Sequence, residues 1–171
     1  PIPFSKNNID VYMPFSDSKI TIQEIIAKMK SKKIIAGSIK NDVIKMAKDN
    51  FIDIIDIMKN ESLAILNTIA TAEGTIELII SNTDKILQGQ KILVLGFGRV
   101  GKTLANKLKL LNCDVTCATV NDDESAWIRA YGYIAKNLND IDEDYMKFDV
   151  IINTIPSLIL KKEKIIFFRE D

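Results

Sequence analysis

Histidine is absent from the 171 residues. That removes an imidazole general base, a Ser-His-Asp triad and a histidine-ligated metal from the chemistry these residues can offer. Cysteine is scarce: Cys113 and Cys117 are the only two. Four positions apart on an extended chain, they would stand roughly 13 Å from each other, too far for a disulfide. No second pair completes a zinc site, so they read as small buried hydrophobes, and no metal is expected. Net charge is missing as well. Lys+Arg and Asp+Glu number 23 each, which gives no reason to expect a nucleic-acid partner. No apolar run is long enough to span a membrane and no signal-peptide pattern is present. The expected setting is therefore cytoplasmic and reducing, without a membrane. Repeats and low-complexity segments are absent.

Hydrophobic residues make up 47% of the chain, ample for one large domain or two small ones. The organising stretch is 91–111. Residues 91–95 form a short apolar run rich in branched side chains, as in a strand buried on both faces of a parallel sheet. Gly96-Phe97-Gly98-Arg99-Val100-Gly101 follows at once. Val100, Leu104, Leu108 and Leu111 then recur at helical spacing. Strand, G-x-G-x-x-G turn and amphipathic helix together form the arrangement that binds a dinucleotide pyrophosphate. Gly96 allows the tight turn, Gly98 lets the phosphates approach the backbone, and Gly101 lets the helix pack on the strand. The helix N-terminus supplies free N–H groups and partial positive charge.

Around this stretch the chain reads as alternating elements. Residues 1–17 form a loop with an edge strand at 9–13. Ser18 or Thr21 caps a helix through Lys30, a strand lies at 32–37, a helix at 41–49 and a strand at 51–57. Residues 63–66 fit either strand or turn. Thr71 opens a helix that carries Glu73 and Glu77 near its positive end and stops by Asn82. After the glycine turn come a strand at 114–120, a helix at 125–131 closed by Gly132, a strand at 133–135, a helical turn at 142–147, a strand at 148–152 and a helix at 157–168. The fold class is α/β: a Rossmann-like doubly wound parallel sheet preceded by part of a smaller α/β lobe. Residues 1–70 form the partial lobe, 71–88 the connection and 89–171 the dinucleotide-binding domain. The opening at Pro1 and the close at Asp171 read as the cut ends of a fragment.

The end of the second Rossmann strand usually chooses between NAD and NADP. Here Ala118, Thr119, Val120 and Asn121 fill it, and acids appear only from Asp122 onward. Neither an acid for the ribose 2′-hydroxyl nor an arginine for a 2′-phosphate is in place. Asn121 can hydrogen-bond either cofactor. Asp122, Asp123 and Glu124 read as the N-terminal charges of the next helix.

Several segments resemble the family of the dipicolinate synthase A component from spore-forming bacteria. They are Asn67-Thr68-Ile69, Thr71-Ala72-Glu73-Gly74-Thr75-Ile76, Asn82-Thr83-Asp84, the run from Leu95 through Gly101, and Ile151-Ile152-Asn153-Thr154-Ile155-Pro156-Ser157-Leu158-Ile159-Leu160. The resemblance runs over 64–160. The glycine motif is common to many dehydrogenases, whereas the E-G-T-I and N-T-I-P-S segments at this spacing are far more specific. Two positions depart from the family: Ala70 stands where it has proline, and Val120 where members can carry an arginine. The resemblance implies a nicotinamide-dependent oxidoreductase related to 2-hydroxyacid dehydrogenases. Its implied reaction forms dipicolinate, a small dicarboxylate, from a dihydrodipicolinate-type precursor during sporulation. It implies the flavoprotein-like B component of dipicolinate synthase as partner, NADP(H) or NAD(H) as cofactor with a slight tilt to NADP(H), and a homo-oligomer. It also implies that opening strands of the first lobe and final strands of the Rossmann sheet lie outside this sequence.

The candidate residues follow. Gly96, Phe97, Gly98, Arg99, Val100 and Gly101 hold the pyrophosphate, Val120 and Asn121 face the adenosine ribose, and Thr154, Ile155 and Pro156 lie beside the nicotinamide. Asn67, Thr71, Glu73 and Thr75, at the boundary between lobes, are substrate-binding candidates. No catalytic acid or base is identified. Two other functions fit the same residues: a non-catalytic nucleotide-sensing module, and a 2-hydroxyacid dehydrogenase of other specificity.

Overall fold

The computed structural model describes residues 2–29 and 31–162, which fall into two compact units, Pro1–Ala64 and Ile65–Asp171.

In the first unit, α1 (Ile22–Lys28) starts at Thr21, whose side chain accepts from the Glu24 amide while Glu24 accepts from the Thr21 amide at 2.7 Å. This reciprocal capping box fixes the helix start and decides between Ser18 and Thr21. β1 (Lys33–Ala36) and β2 (Asp53–Asp56) pair in parallel with Ile34 opposite Ile54, and α2 (Asn41–Asp49) joins them. Val43 and Ala47 of α2, Ile34 and Ala36 of β1, Ile22 and Ile26 of α1, and Phe4 form one apolar core. The Asp56 carboxylate closes the strand ends. It accepts from the amides of Ser38 and Ile39 at 2.9 Å each and from Met58 at 3.0 Å. The edge strand expected at 9–13 is reduced to a single antiparallel bridge, Asp10 to Thr21. The sequence there alternates, but the structure gives it no longer partner strand.

α3 (Glu61–Ser81) is one helix of 21 residues. It corrects two expectations. Residues 63–66 are neither strand nor turn, and Thr71 opens nothing, because it lies mid-helix with its hydroxyl donating to the Asn67 carbonyl. Glu73 is therefore far from the helix's positive end. The expectation that no segment is long and apolar enough for a membrane fails on length and composition for this helix. Part of it packs on the second unit. Ala72 and Ile79 enter the apolar core of the second unit, Thr68 Oγ1 lies 2.7 Å from Thr103 Oγ1, and Lys107 donates to Glu73 at 2.9 Å.

The second unit carries a four-stranded parallel sheet in the order β5-β4-β3-β6. β3 (Lys91–Leu95) is central, and residues 92–95 are wholly buried, as the apolar run predicts. β4 (Asp114–Thr119) and β6 (Val150–Asn153) flank it, and β5 (Ile134–Asn137) pairs with β4. α4 (Arg99–Leu110) turns Gly101, Leu104, Ala105 and Leu108 inward and leaves Lys107 and Lys109 in its last turn, where the helix dipole favours cations. α5 (Asp122–Ala130) starts with three acids, the matching arrangement at the positive end. The other face of the sheet is covered by Leu138 and Tyr145, from two short 3-10 stretches before β6, and by Ile141, the residue between the two stretches. Residues 157–161 are irregular, which corrects the first half of the helix expected at 157–168; its second half, from 163 on, lies outside the described residues. So does the expected end of the first helix at Lys30.

Candidate functional site

The chain crosses from β3 to α4 in three residues, Gly96, Phe97 and Gly98. Gly96 has φ +92°, a left-handed conformation that side chains rarely adopt. A Cβ there would also meet Ile155 Cγ1 at 2.8 Å and Thr154 Oγ1 at 2.9 Å. A Cβ on Gly101 would lie 2.3 Å from the Gly96 carbonyl oxygen. Both glycines are thus required by packing. Gly98 is different. Its φ is −72°, and nothing lies within 4 Å of an added Cβ. The space beside Gly98 is open, and Gly98 brings no capping side chain to α4. The first amide to bond back is Lys102, to the Gly98 carbonyl at 2.9 Å. The Val100 and Gly101 amides before it have no helical acceptor, the arrangement that suits an anion at a helix N-terminus. A dinucleotide pyrophosphate fits this cradle. Phe97 contributes its backbone to the turn, while its ring is fully buried against Tyr131 and Tyr133, with centroids at 6.2 and 6.1 Å. Arg99 is exposed at the first position of α4, and Val100 is half-buried beside it.

The chain runs outward from β3 to β4 and β5, then returns to place β6 on the other side of β3. The carboxyl ends of β3 and β6 therefore flank the topological switch point, where open α/β sheets bind ligands. Thr154 follows β6 there. Its hydroxyl donates to the Leu95 carbonyl at 2.9 Å, with the Gly96 carbonyl at 3.4 Å, and its amide donates to the Leu95 carbonyl. Thr154 thus ties the end of β6 to the glycine turn. Ile155 is held by its amide on Asn153 Oδ1 at 2.9 Å and covers Gly96, and Pro156 is exposed next to it.

At the end of β4, Val120 is 63% exposed and Asn121 caps α5 by accepting from the Glu124 amide at 2.9 Å. The buried Thr119 hydroxyl donates to Glu124 Oε2 at 2.6 Å and accepts from the Asn121 amide at 3.1 Å. The sequence shows Glu124 as a helix-terminal charge. Its return to the strand end depends on the tight turn at 120–121, and the only sequence signal was an Asn cap with an acid three residues on.

The four substrate-binding candidates all lie on α3 but not on one face. Asn67, Thr71 and Thr75 form a stripe four residues apart, with the Thr75 hydroxyl donating to the Thr71 carbonyl at 2.8 Å. Glu73 lies roughly 200° round the helix from Thr71 and meets Lys107 of α4. Both cysteines are free and buried. Burial pushes the Cys117 thiol up to about 12 and raises that of Cys113, so neither forms a thiolate at neutral pH. Among the described residues, no group of three His, Cys, Asp or Glu side chains is placed to hold a metal ion.

Comparison with known proteins agrees with this geometry. Residues 63–166 match the D-isomer specific 2-hydroxyacid dehydrogenase NAD binding domain, and residues 1–58 match the N-terminal domain of dipicolinate synthase A. The chain is 34% identical over 109 residues to dipicolinate synthase A of Bacillus subtilis (strain 168), covering 64% of this chain and 37% of that protein. The crystal structure of dipicolinate synthase A from Bacillus halodurans superposes with TM-score 0.82 at 29% identity, over 99% of this chain and 59% of that one. The Bacillus subtilis structure gives 0.78 at 26%, over 96% and 56%. A transhydrogenase from Sinorhizobium meliloti, at 17% identity and TM-score 0.66 over 87% of this chain and 53% of that one, shares the fold. This chain spans well under two thirds of the length of these relatives. It belongs to the family of D-isomer specific 2-hydroxyacid dehydrogenase NAD-binding domains and is a relative of dipicolinate synthase A.

Proposed function

We propose that the protein is a nicotinamide-dependent oxidoreductase of the dipicolinate synthase A type. In this reading it converts a dihydrodipicolinate-type precursor to dipicolinate in the cytoplasm during sporulation, together with the B component and as a homo-oligomer. The observation that carries the reading is the open cradle at Gly98, set at the N-terminus of α4 and beside the switch point. A bound nicotinamide dinucleotide would supply a hydride acceptor. The amides at the start of α4 would hold its pyrophosphate, and the Thr154 bonds to Leu95 and Gly96 would keep the turn and the strand-end crevice in register. Thr154, Ile155 and Pro156 would border the nicotinamide and exclude water from one side.

Oxidation of a dihydropyridine dicarboxylate gives up one hydride and one proton and gains an aromatic ring. Alignment of the C–H bond with the acceptor is then the main demand on the protein. Asn67, Thr71, Glu73 and Thr75 remain the substrate candidates in this reading, with Glu73 the weakest because Lys107 already pairs with it. The test is dipicolinate formation, followed by ultraviolet absorbance, from freshly made dihydrodipicolinate with NAD⁺ or NADP⁺ and the full-length protein. Formation of dipicolinate coupled to cofactor reduction is expected. Cofactor binding without turnover would replace the enzyme by a nucleotide-sensing module.

A further inference from the structure

We infer that the second unit holds a small-molecule site at the edge of the sheet opposite the glycine turn: a lysine-lined cavity that takes a compact organic dianion, two negative charges on a small apolar body. The cavity lies at the amino ends of β3, β4 and β5, where Lys91, Asp114 and Ile134 begin the strands. Its volume is about 410 Å³, within the range of small-molecule pockets. Lys91, Lys109, Lys136 and Lys147 line it, against a single acid, Asp114, among the described residues. Lys136 and Lys147 share Asp144. Asp149 is occupied by the Lys91 amide and by Lys85. Among the described residues the Lys91 and Lys109 side chains have no ion pair. The lining is therefore positive in excess, and Ile134 and Phe148 give it an apolar wall.

Charge alone would describe a solvated surface, and Lys109 already has a helix dipole to complement. Thr116 separates the two readings. It lies in β4, is 5% exposed and lines the cavity. Among the described residues its hydroxyl has no hydrogen-bond partner. It is also not one of the sealed polar atoms, so the space it reaches is the cavity. The other buried threonine hydroxyls, of Thr68 and Thr119, are bonded within the protein. A buried hydroxyl without a partner costs stability that a valine of the same shape would not, and valine suits a strand equally well. A ligand oxygen gives the Thr116 hydroxyl its partner, and the lysines supply the countercharge. Lysine holds an anion as a flexible point charge, which suits a phosphate ester and a dicarboxylate alike. The site is separate from the glycine turn, and the inference does not depend on the nicotinamide reading.

The experiment is calorimetric titration of the full-length protein with phenyl phosphate and with phthalate, at mildly alkaline pH where both are dianions. The two probes share a benzene ring and separate a phosphate source from a dicarboxylate source. Saturating NADH is present, so that the glycine turn is filled. At least one probe is expected to bind, with a dissociation constant of about 1 mM or tighter that weakens as salt is added. Thr116→Val should weaken that probe at least threefold without lowering the thermal midpoint. The double variant Lys91→Met, Lys109→Met should weaken it at least tenfold and leave NADH affinity within twofold of native. Binding of neither probe overturns the inference, as does an affinity that both variants leave unchanged. Binding seen only without NADH also overturns it, because the probe is then in the glycine turn. Failure to bind NADH overturns the nicotinamide reading instead, and the two variants still decide the inference.

Discussion

Two glycines three residues apart show how differently the same residue type is used. Gly98 borders open space at a φ that any residue tolerates, so Gly98→Val should fold normally. It should weaken dinucleotide binding at least tenfold, about 1.4 kcal/mol, because the branched side chain fills the cradle. Unchanged affinity for NADH and NADPH would remove the pyrophosphate from this position. Gly101 has no such room. A Cβ there stands 2.3 Å from a backbone oxygen of Gly96, and neither backbone can move without breaking the β3-to-α4 turn. Gly101→Ala is therefore expected to lower the thermal unfolding midpoint of the protein, while Gly98→Ala leaves it in place. Val120, 63% exposed, accepts a larger side chain without strain. Val120→Arg should improve NADPH binding, since a guanidinium offers a phosphate two hydrogen bonds. Titration with NADPH checks it: an affinity that Val120→Arg leaves unchanged would show that position 120 does not face the 2′-phosphate.

At the scale of elements, the chain closes its strands and short helices with carboxylates. Asp56 holds three backbone amides at the end of β2. Asp56→Ala leaves them without acceptors and should cost the first unit about 2 kcal/mol, by the usual penalty for orphaned donors. Chemical denaturation monitored by circular dichroism would measure it. The 3-10 stretch Asp142–Lys147, which seats the buried Tyr145 under the sheet, is held on its outer side by Asp144. Hydrogen bonds from Lys147 and then Lys136 hold its carboxyl below the ordinary value of 3.8. The sign follows from linkage: a carboxyl with a lowered folded-state value stabilises fully above its ordinary value, and that contribution is lost as pH falls through the lower one. Because the pair is near the surface, the gain is small, about 0–1 kcal/mol. Asp144→Asn should be less stable than the native protein at neutral pH, and the two should converge in acid below 3.8. A gap that persists there would assign the loss to packing instead of charge.

At the scale of the whole molecule, the two units have separate apolar cores, one around Val43, Ala47 and Ile34, the other on both faces of the β3-centred sheet. A ligand held only by the second unit stabilises only that unit, by about 2.7 kcal/mol at a concentration one hundred times its dissociation constant. Calorimetric melting with saturating NADH should therefore raise one transition and leave another in place. A single transition that moves as one would mean that the units unfold cooperatively. The family match covers most of the second unit, and this is also where the sequence was most legible, because its strands are short, apolar and bounded by glycine or asparagine.

The sequence by itself determined the Rossmann core. A buried strand at 91–95, three glycines at set spacing and a lysine-rich amphipathic helix leave little choice, because period, turn and capping all point to one βα unit. The helix at 41–49 was legible for the same reason, since one apolar face decides it, whereas the sequence offered both Ser18 and Thr21 as the cap of α1 and only the structure chose Thr21. Tertiary structure alone decided α3. Its isoleucines and leucines surround the helix instead of marking one face, its threonines imitate caps, and only packing of Ala72 and Ile79 against the second core joins 61–81 into one element. It also decided the ends of the strands. Thr154 turns inward to hold the glycine turn and Glu124 reaches back to Thr119, each across a change of chain direction that no linear spacing records. Residue order sets the chemistry available to the site, and the fold decides which of those groups share one volume.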